Sequence, residues 1–190
     1  MIRLLTTTAV FAVGLLLAPA IYAQTSQPNV PSPAPAAAAK DTLSQEDRTF
    51  VKEAAIGSMA EVELSKLAQK SENADVKSFA DHMIQDHTAV NQQLTAIATD
   101  LGVDMPKALD AEHERLRENV QTLHGKAFDE QYMHEMVADH DKAVNLFQQE
   151  ERSGHNAELK QFAQKILPTL QEHQKNALEL SHKVSQAAAR

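Results

Sequence analysis

An all-α fold is predicted from three observations. The chain from about Ser44 onward is rich in Ala, Leu, Gln, Glu and Lys, its apolar residues recur at three- and four-residue spacing, and no segment alternates with the period of two that a half-buried strand requires. Gly102, Pro106, Gly125 and Gly154 fall between the periodic stretches, where chain breaks belong.

The chain starts with Met1, Ile2 and Arg3, an apolar run from Leu4 to Leu17, and small residues at Ala18, Ala20 and Ala23. This pattern predicts a secretory signal peptide over 1–23, with an uncleaved anchor as the alternative. Residues 24–43, built of Pro, Ala, Ser and Gln, have little to bury and read as a disordered tether, leaving 44–187 as one folded domain. The absence of cysteine excludes disulfides, thiolate metal sites, a lipid-anchored lipoprotein and c-type haem. Without its leader the chain carries 17 basic and 26 acidic residues, a formal charge of −9. That acidity disfavours nucleic acid and anionic lipid, so no strong membrane binding is expected after cleavage; protein partners and oligomeric state stay open.

Ser44 followed by Asp47 marks a capping-box start, and the first helix is expected to reach about Lys70. Asn73 caps the second, which runs to about Leu101, and a short amphipathic helix follows over about Asp110–Leu123. The third long helix is expected from near Phe128 to a C-terminal cap at Gly154. Asn156 caps the fourth, which passes through Pro168 and is expected to kink where that proline removes a backbone donor. The run Asn73-Ala74-Asp75-Val76-Lys77-Ser78-Phe79-Ala80 returns as Asn156-Ala157-Glu158-Leu159-Lys160-Gln161-Phe162-Ala163, so the second and fourth long helices begin alike. Two helical hairpins joined by a long connection with a short extra helix make a ferritin-like four-helix bundle.

Each long helix carries an apolar seam interrupted once near its middle. His87 stands between Met83 and Val90, His173 follows Leu170, His140 lies between Val137 and Ala143, and Glu61 lies between Gly57 and Leu64. At about 1.5 Å of rise per residue, all four reach a similar height in helices of similar length. A buried imidazole or carboxylate destabilises a core unless it is paired or ligated, so Glu61, His87, His140 and His173 are candidate ligands for one transition-metal ion: iron, zinc, copper or manganese. The competing reading is a Glu-His network that satisfies itself and only fixes the register of the bundle. Asp86, Asp139 and Glu172 precede the seam histidines and are expected either to orient a ligand on an adjacent helix or to cover the surface. Met59, Met83, Met133 and Met136 read as core filler, Glu150 as a solvent-accessible seam edge, and Tyr132 as a core residue needing one hydroxyl partner. The remaining histidines are expected mostly in solvent, and no nucleophile elbow, phosphate loop or His-Glu-x-x-His motif supports a hydrolase or kinase.

The stretches Gly57-Ser58-Met59-Ala60-Glu61-Val62-Glu63-Leu64, Phe79-Ala80-Asp81-His82-Met83-Ile84-Gln85-Asp86-His87, Gly125-Lys126-Ala127-Phe128-Asp129 with Tyr132, and Phe162-Ala163 followed by Leu167-Pro168 and His173 resemble the DUF4142 family, an exported bacterial domain of unknown function. The resemblance covers about Gln45 to Leu180 and implies a ferritin-like bundle in the cell envelope, whether periplasmic, secreted or associated with the outer membrane; it implies no established activity. The chain departs from the di-iron pattern, since the second long helix holds no Glu-x-x-His, the one in the fourth, Glu179-Leu180-Ser181-His182, lies toward its end and outside the seam, and Glu61 is the one seam carboxylate near mid-height, which speaks against a ferroxidase. The expectation is therefore an envelope protein binding one metal in its core, or else a structural, stress-related interaction module without metal; enzyme activity is left open, since an oxidoreductase at the same site needs an open coordination position that the sequence does not reveal.

Overall fold

The computed structural model describes residues 43–188, so the expected signal peptide and all but the last residue of the tether lie outside the described residues. Five helices account for the rest: α1 (Gln45–Ala68), α2 (Ala74–Asp100), α3 (Ala111–Gln121), α4 (Gly125–Ser153) and α5 (Ala157–Ala188). The all-α expectation holds, with no strand among the described residues. Leu43, read as tether, is buried in the core, so the folded part begins one residue earlier.

Local chemistry sets the helix ends. Ser44 and Asp47 form a reciprocal capping box at the start of α1. Asn73 accepts from the backbone N–H groups of Asp75 and Val76, and Asn156 accepts equivalently from Glu158 and Leu159, so the internal repeat is one capping device used twice. After α2, Gly102 takes a left-handed φ of +69°, and the Val103 N–H closes on the Ala98 carbonyl at 2.8 Å. α4 starts three residues before the expected Phe128, because Gly125, at φ +55°, turns the chain directly into the helix. α5 continues through Pro168 as one helix; the proline is exposed, leaving the carbonyl it strands within reach of water.

Cross-helix bonds fix the directions. Asp47 at the start of α1 accepts from the backbone of His155 beyond the end of α4, whereas Ser65 near the end of α1 meets Tyr132 near the start of α4. α1 and α4 therefore run antiparallel. Lys165, early in α5, bonds Gln93, late in α2, so that pair is antiparallel too. With α1–α2 and α4–α5 as hairpins, α2 and α4 must be parallel, and the chain from 101 to 124 has to return along the bundle. α3 rides on that return and packs on α1 and α4. This is the ferritin-like arrangement.

The core divides into two apolar clusters. One gathers Phe50, Phe147 and Phe162 with Leu94, Val90 and Leu170; the other gathers Leu64, Met83, Tyr132, Met136 and Ala177. On every long helix the seam-breaking residue falls between the two: Glu61 between Ala55 and Leu64, His87 between Met83 and Val90, His140 between Met136 and Val144, His173 between Leu170 and Ala177. The four polar residues form one buried waist.

Candidate metal centre

The waist is dry. Glu61 and His87 are 2% exposed, His140 0% and His173 6%. Each imidazole is held by a group outside the cluster, and the chemistry of that group fixes which nitrogen carries hydrogen. His87 Nδ1 lies 2.7 Å from Glu61 Oε2; a carboxylate only accepts, so Nδ1–H donates. Ser58, one turn before Glu61 on α1, donates its hydroxyl to the His87 carbonyl at 3.1 Å and places its oxygen 3.2 Å from the same Nδ1. His140 Nδ1 donates to the Met136 carbonyl at 2.8 Å and lies 3.4 Å from Glu61 Oε1. His173 Nε2 donates to Asp86 Oδ2 across the α2–α5 interface at 2.9 Å.

The remaining nitrogens, His87 Nε2, His140 Nε2 and His173 Nδ1, then carry lone pairs. All three are buried and have no hydrogen-bond partner. One ring nitrogen from each histidine lies within 4.8 Å of the other two, and the ring centroids are 5.4 to 5.5 Å apart. Converging lone pairs in a low-dielectric core repel one another, and a shared cation reverses the sign of that interaction. Metal–nitrogen bonds of about 2.0 Å in a tetrahedral site separate ligand atoms by about 3.3 Å, so small ring rotations would bring the set to bonding distance. The cluster can hold a metal ion.

Glu61, expected among the ligands, faces the outer nitrogens of His87 and His140 and stands outside the three-histidine set. Burial pushes its carboxyl up, but the adjacent His87 and His140 outweigh burial and hold it at about 2, so it is ionised. Burial, with His87 and His140 beside it, lowers His173 to about 4 despite Asp86, which keeps that imidazole neutral and its lone pair free at neutral pH.

The three acids that precede the seam histidines take three different places. Asp86 orients His173 on the neighbouring helix. Asp139 is buried, with Oδ1 on Lys142 at 3.3 Å and Oδ2 unpartnered, and burial followed by the Glu61 charge raises its carboxyl. Glu172 is exposed. Ser58 was not singled out from the sequence, although its position three residues before Glu61 puts it on the same helical face. Met83, Met133 and Met136 are core residues, and Tyr132 finds its partner in Ser65 at 2.9 Å. Of the other histidines, His82, His124, His134, His155 and His182 are exposed and His113 is half-buried.

Glu150 corrects an expectation. It is only 4% exposed, because the turn after α4 folds back over the start of α1 and brings it near Asp47, and its Oε1 is buried without a hydrogen-bond partner. Burial and the Asp47 charge push Glu150 up to about 7. Asp47 itself is raised by burial but brought below its ordinary value by the backbone N–H groups of His155 and Asn156 and by Ser44.

A groove of about 730 Å³ opens between α1 and α4 and reaches Ser58, Glu61 and His87 from the surface. No helix among the described residues is long and apolar enough to cross a membrane.

The model of a family described as a domain of unknown function, DUF4142, matches residues 32–180, in keeping with the resemblance read from the motifs. No curated protein matches the sequence significantly. The crystal structure of a DUF305 fragment from Deinococcus radiodurans superposes with a TM-score of 0.66 at 16% identity, covering 74% of this chain and 98% of that one. At that identity the likeness concerns the fold alone.

Proposed function

The chain belongs to the DUF4142 family, a domain of unknown function, and from that premise we propose that it binds one transition-metal ion through His87 Nε2, His140 Nε2 and His173 Nδ1. The observation that carries the reading is a cluster of three buried histidines, with one ring nitrogen of each within 4.8 Å of the others, in which each ring keeps one nitrogen unpartnered and holds an acceptor with the other. Glu61 and Asp86 act as carboxylates that orient ligand imidazoles and raise their basicity, the arrangement common around protein metals. Three neutral nitrogens and no inner carboxylate favour zinc, copper or iron over manganese, which prefers oxygen. One carboxylate at the waist, engaged with His87 and His140, is too few to bridge two irons, so the reading is mononuclear.

The role that fits this site is buffering, sensing or sequestering a metal in the cell envelope, reached through the leader at 1–23, rather than catalysis. A purely structural waist would need its inner nitrogens satisfied; Glu61 satisfies only the outer ones.

The test is elemental mass spectrometry of untagged mature protein recovered from the periplasm, beside the His87→Ala/His173→Ala variant. Near-stoichiometric metal that vanishes in the variant supports the proposal. Folded protein that holds no metal, even after incubation with micromolar zinc, copper or iron, refutes it and leaves the structural module.

A further inference from the structure

We infer that the groove between α1 and α4 is the route by which a divalent cation reaches the histidine cluster, and that Asp139 and Glu61 form a transient carboxylate station on its wall. The inference rests on the metal-binding reading and adds the path. Glu53, Gly57 and Glu61 recur every four residues on α1 and line the groove in that order, from an exposed carboxylate to the buried one. Opposite them, Leu146, Ala143 and Asp139 descend α4 toward the same depth. Two carboxylates line this groove, Asp139 and Glu61, 7% and 2% exposed, and each keeps one buried oxygen without a hydrogen-bond partner: Asp139 Oδ2, and Glu61 Oε1, which lies 3.4 Å from His140 Nδ1. Buried carboxylate oxygens left without a donor are costly in a finished core and useful where a cation passes.

Gly57 is the second, independent sign. Glycine in the middle of a helix costs about 1 kcal/mol relative to alanine, a cost usually traded for close helix packing. Here a Cβ at Gly57 would meet nothing within 4 Å. The missing side chain keeps the groove open one turn above Glu61. Glu53, Glu61, Asp110, Glu112 and Asp139 outnumber Arg48, Lys52 and Lys142 along the groove, and Lys142 is engaged with Asp139, a balance that favours a cation over an anion.

Stopped-flow mixing of metal-free mature protein with Co²⁺, followed by the visible absorption of the histidine-bound ion, tests the route. Gly57→Leu and Asp139→Asn should each slow loading about tenfold or more, and slow release to a chelator by a similar factor for Gly57→Leu, with stoichiometry unchanged. A blocked path alters both rates together, whereas a lost ligand changes affinity. Gly57→Leu adds a side chain to open space on a helix and so keeps the fold. Wild-type loading and release rates in both variants overturn the route while leaving the metal site standing. Folded wild-type protein that takes up no Co²⁺ overturns both.

Discussion

Asp86 on α2 holds His173 on α5 through a 2.9 Å hydrogen bond to Nε2, and this bond turns the Nδ1 lone pair into the bundle. An acid exposed enough to read as surface cover thus sets the tautomer of a buried imidazole. Asp86→Asn can present its amide oxygen to the same N–H without the charge, while Asp86→Ala frees the ring. Metal affinity is expected to fall about 10- to 100-fold in Asp86→Ala and less in Asp86→Asn, measured by competition with a chelator. Equal affinity in wild type and Asp86→Ala would remove Asp86 from the site.

The Asp47–Glu150 contact predicts a pH dependence at the other end of the bundle. Glu150 has its folded value raised from 4.5 to about 7, so the native state binds the extra proton between those values. Its contribution is fully present below about pH 4.5 and is lost as pH rises through 7. Glu150→Gln keeps a neutral partner for Asp47 and is expected to melt several degrees above wild type at pH 8, about 1–2 kcal/mol, with the gap closing by pH 5. Parallel melting curves at both pH values would contradict the pairing.

Two glycines should respond oppositely to alanine. At Gly154 a Cβ would come within 2.6 Å of Glu150 Cδ and of the Glu150 carbonyl oxygen, so Gly154→Ala is expected to cost about 1–3 kcal/mol. At Gly57, with open space and helical backbone, Gly57→Ala should gain about 0.5–1 kcal/mol. Urea unfolding of the two variants gives both signs in one experiment.

Ser65 and Tyr132 share one buried hydroxyl–hydroxyl bond between α1 and α4. Removing either partner strands the other, at about 1–3 kcal/mol for Ser65→Ala or Tyr132→Phe. The double variant should cost less than the two singles combined, and a double-mutant cycle that proves additive would show the hydroxyls to be independent.

Capping residues, helix extents and the height of the seam interruptions were legible in the chain because they are local. Ser44, Asn73 and Asn156 cap the helices they immediately precede, and a period near 3.6 places Glu61, His87, His140 and His173 on inner faces whatever the helices pack against. The repeat and the long connection likewise carried the ferritin-like topology.

Which atoms face one another was decided only by packing. A ring rotation and a few tens of degrees of helix azimuth separate a lone pair from a donor, and both depend on groups far away in sequence: Glu61 for His87, Asp86 for His173. The same holds for Glu150, whose burial comes from a turn over the start of α1 some hundred residues earlier. Sequence periodicity determines depth and face, since these repeat along one helix; tertiary contact determines tautomer, partner and protonation, since these belong to pairs of helices.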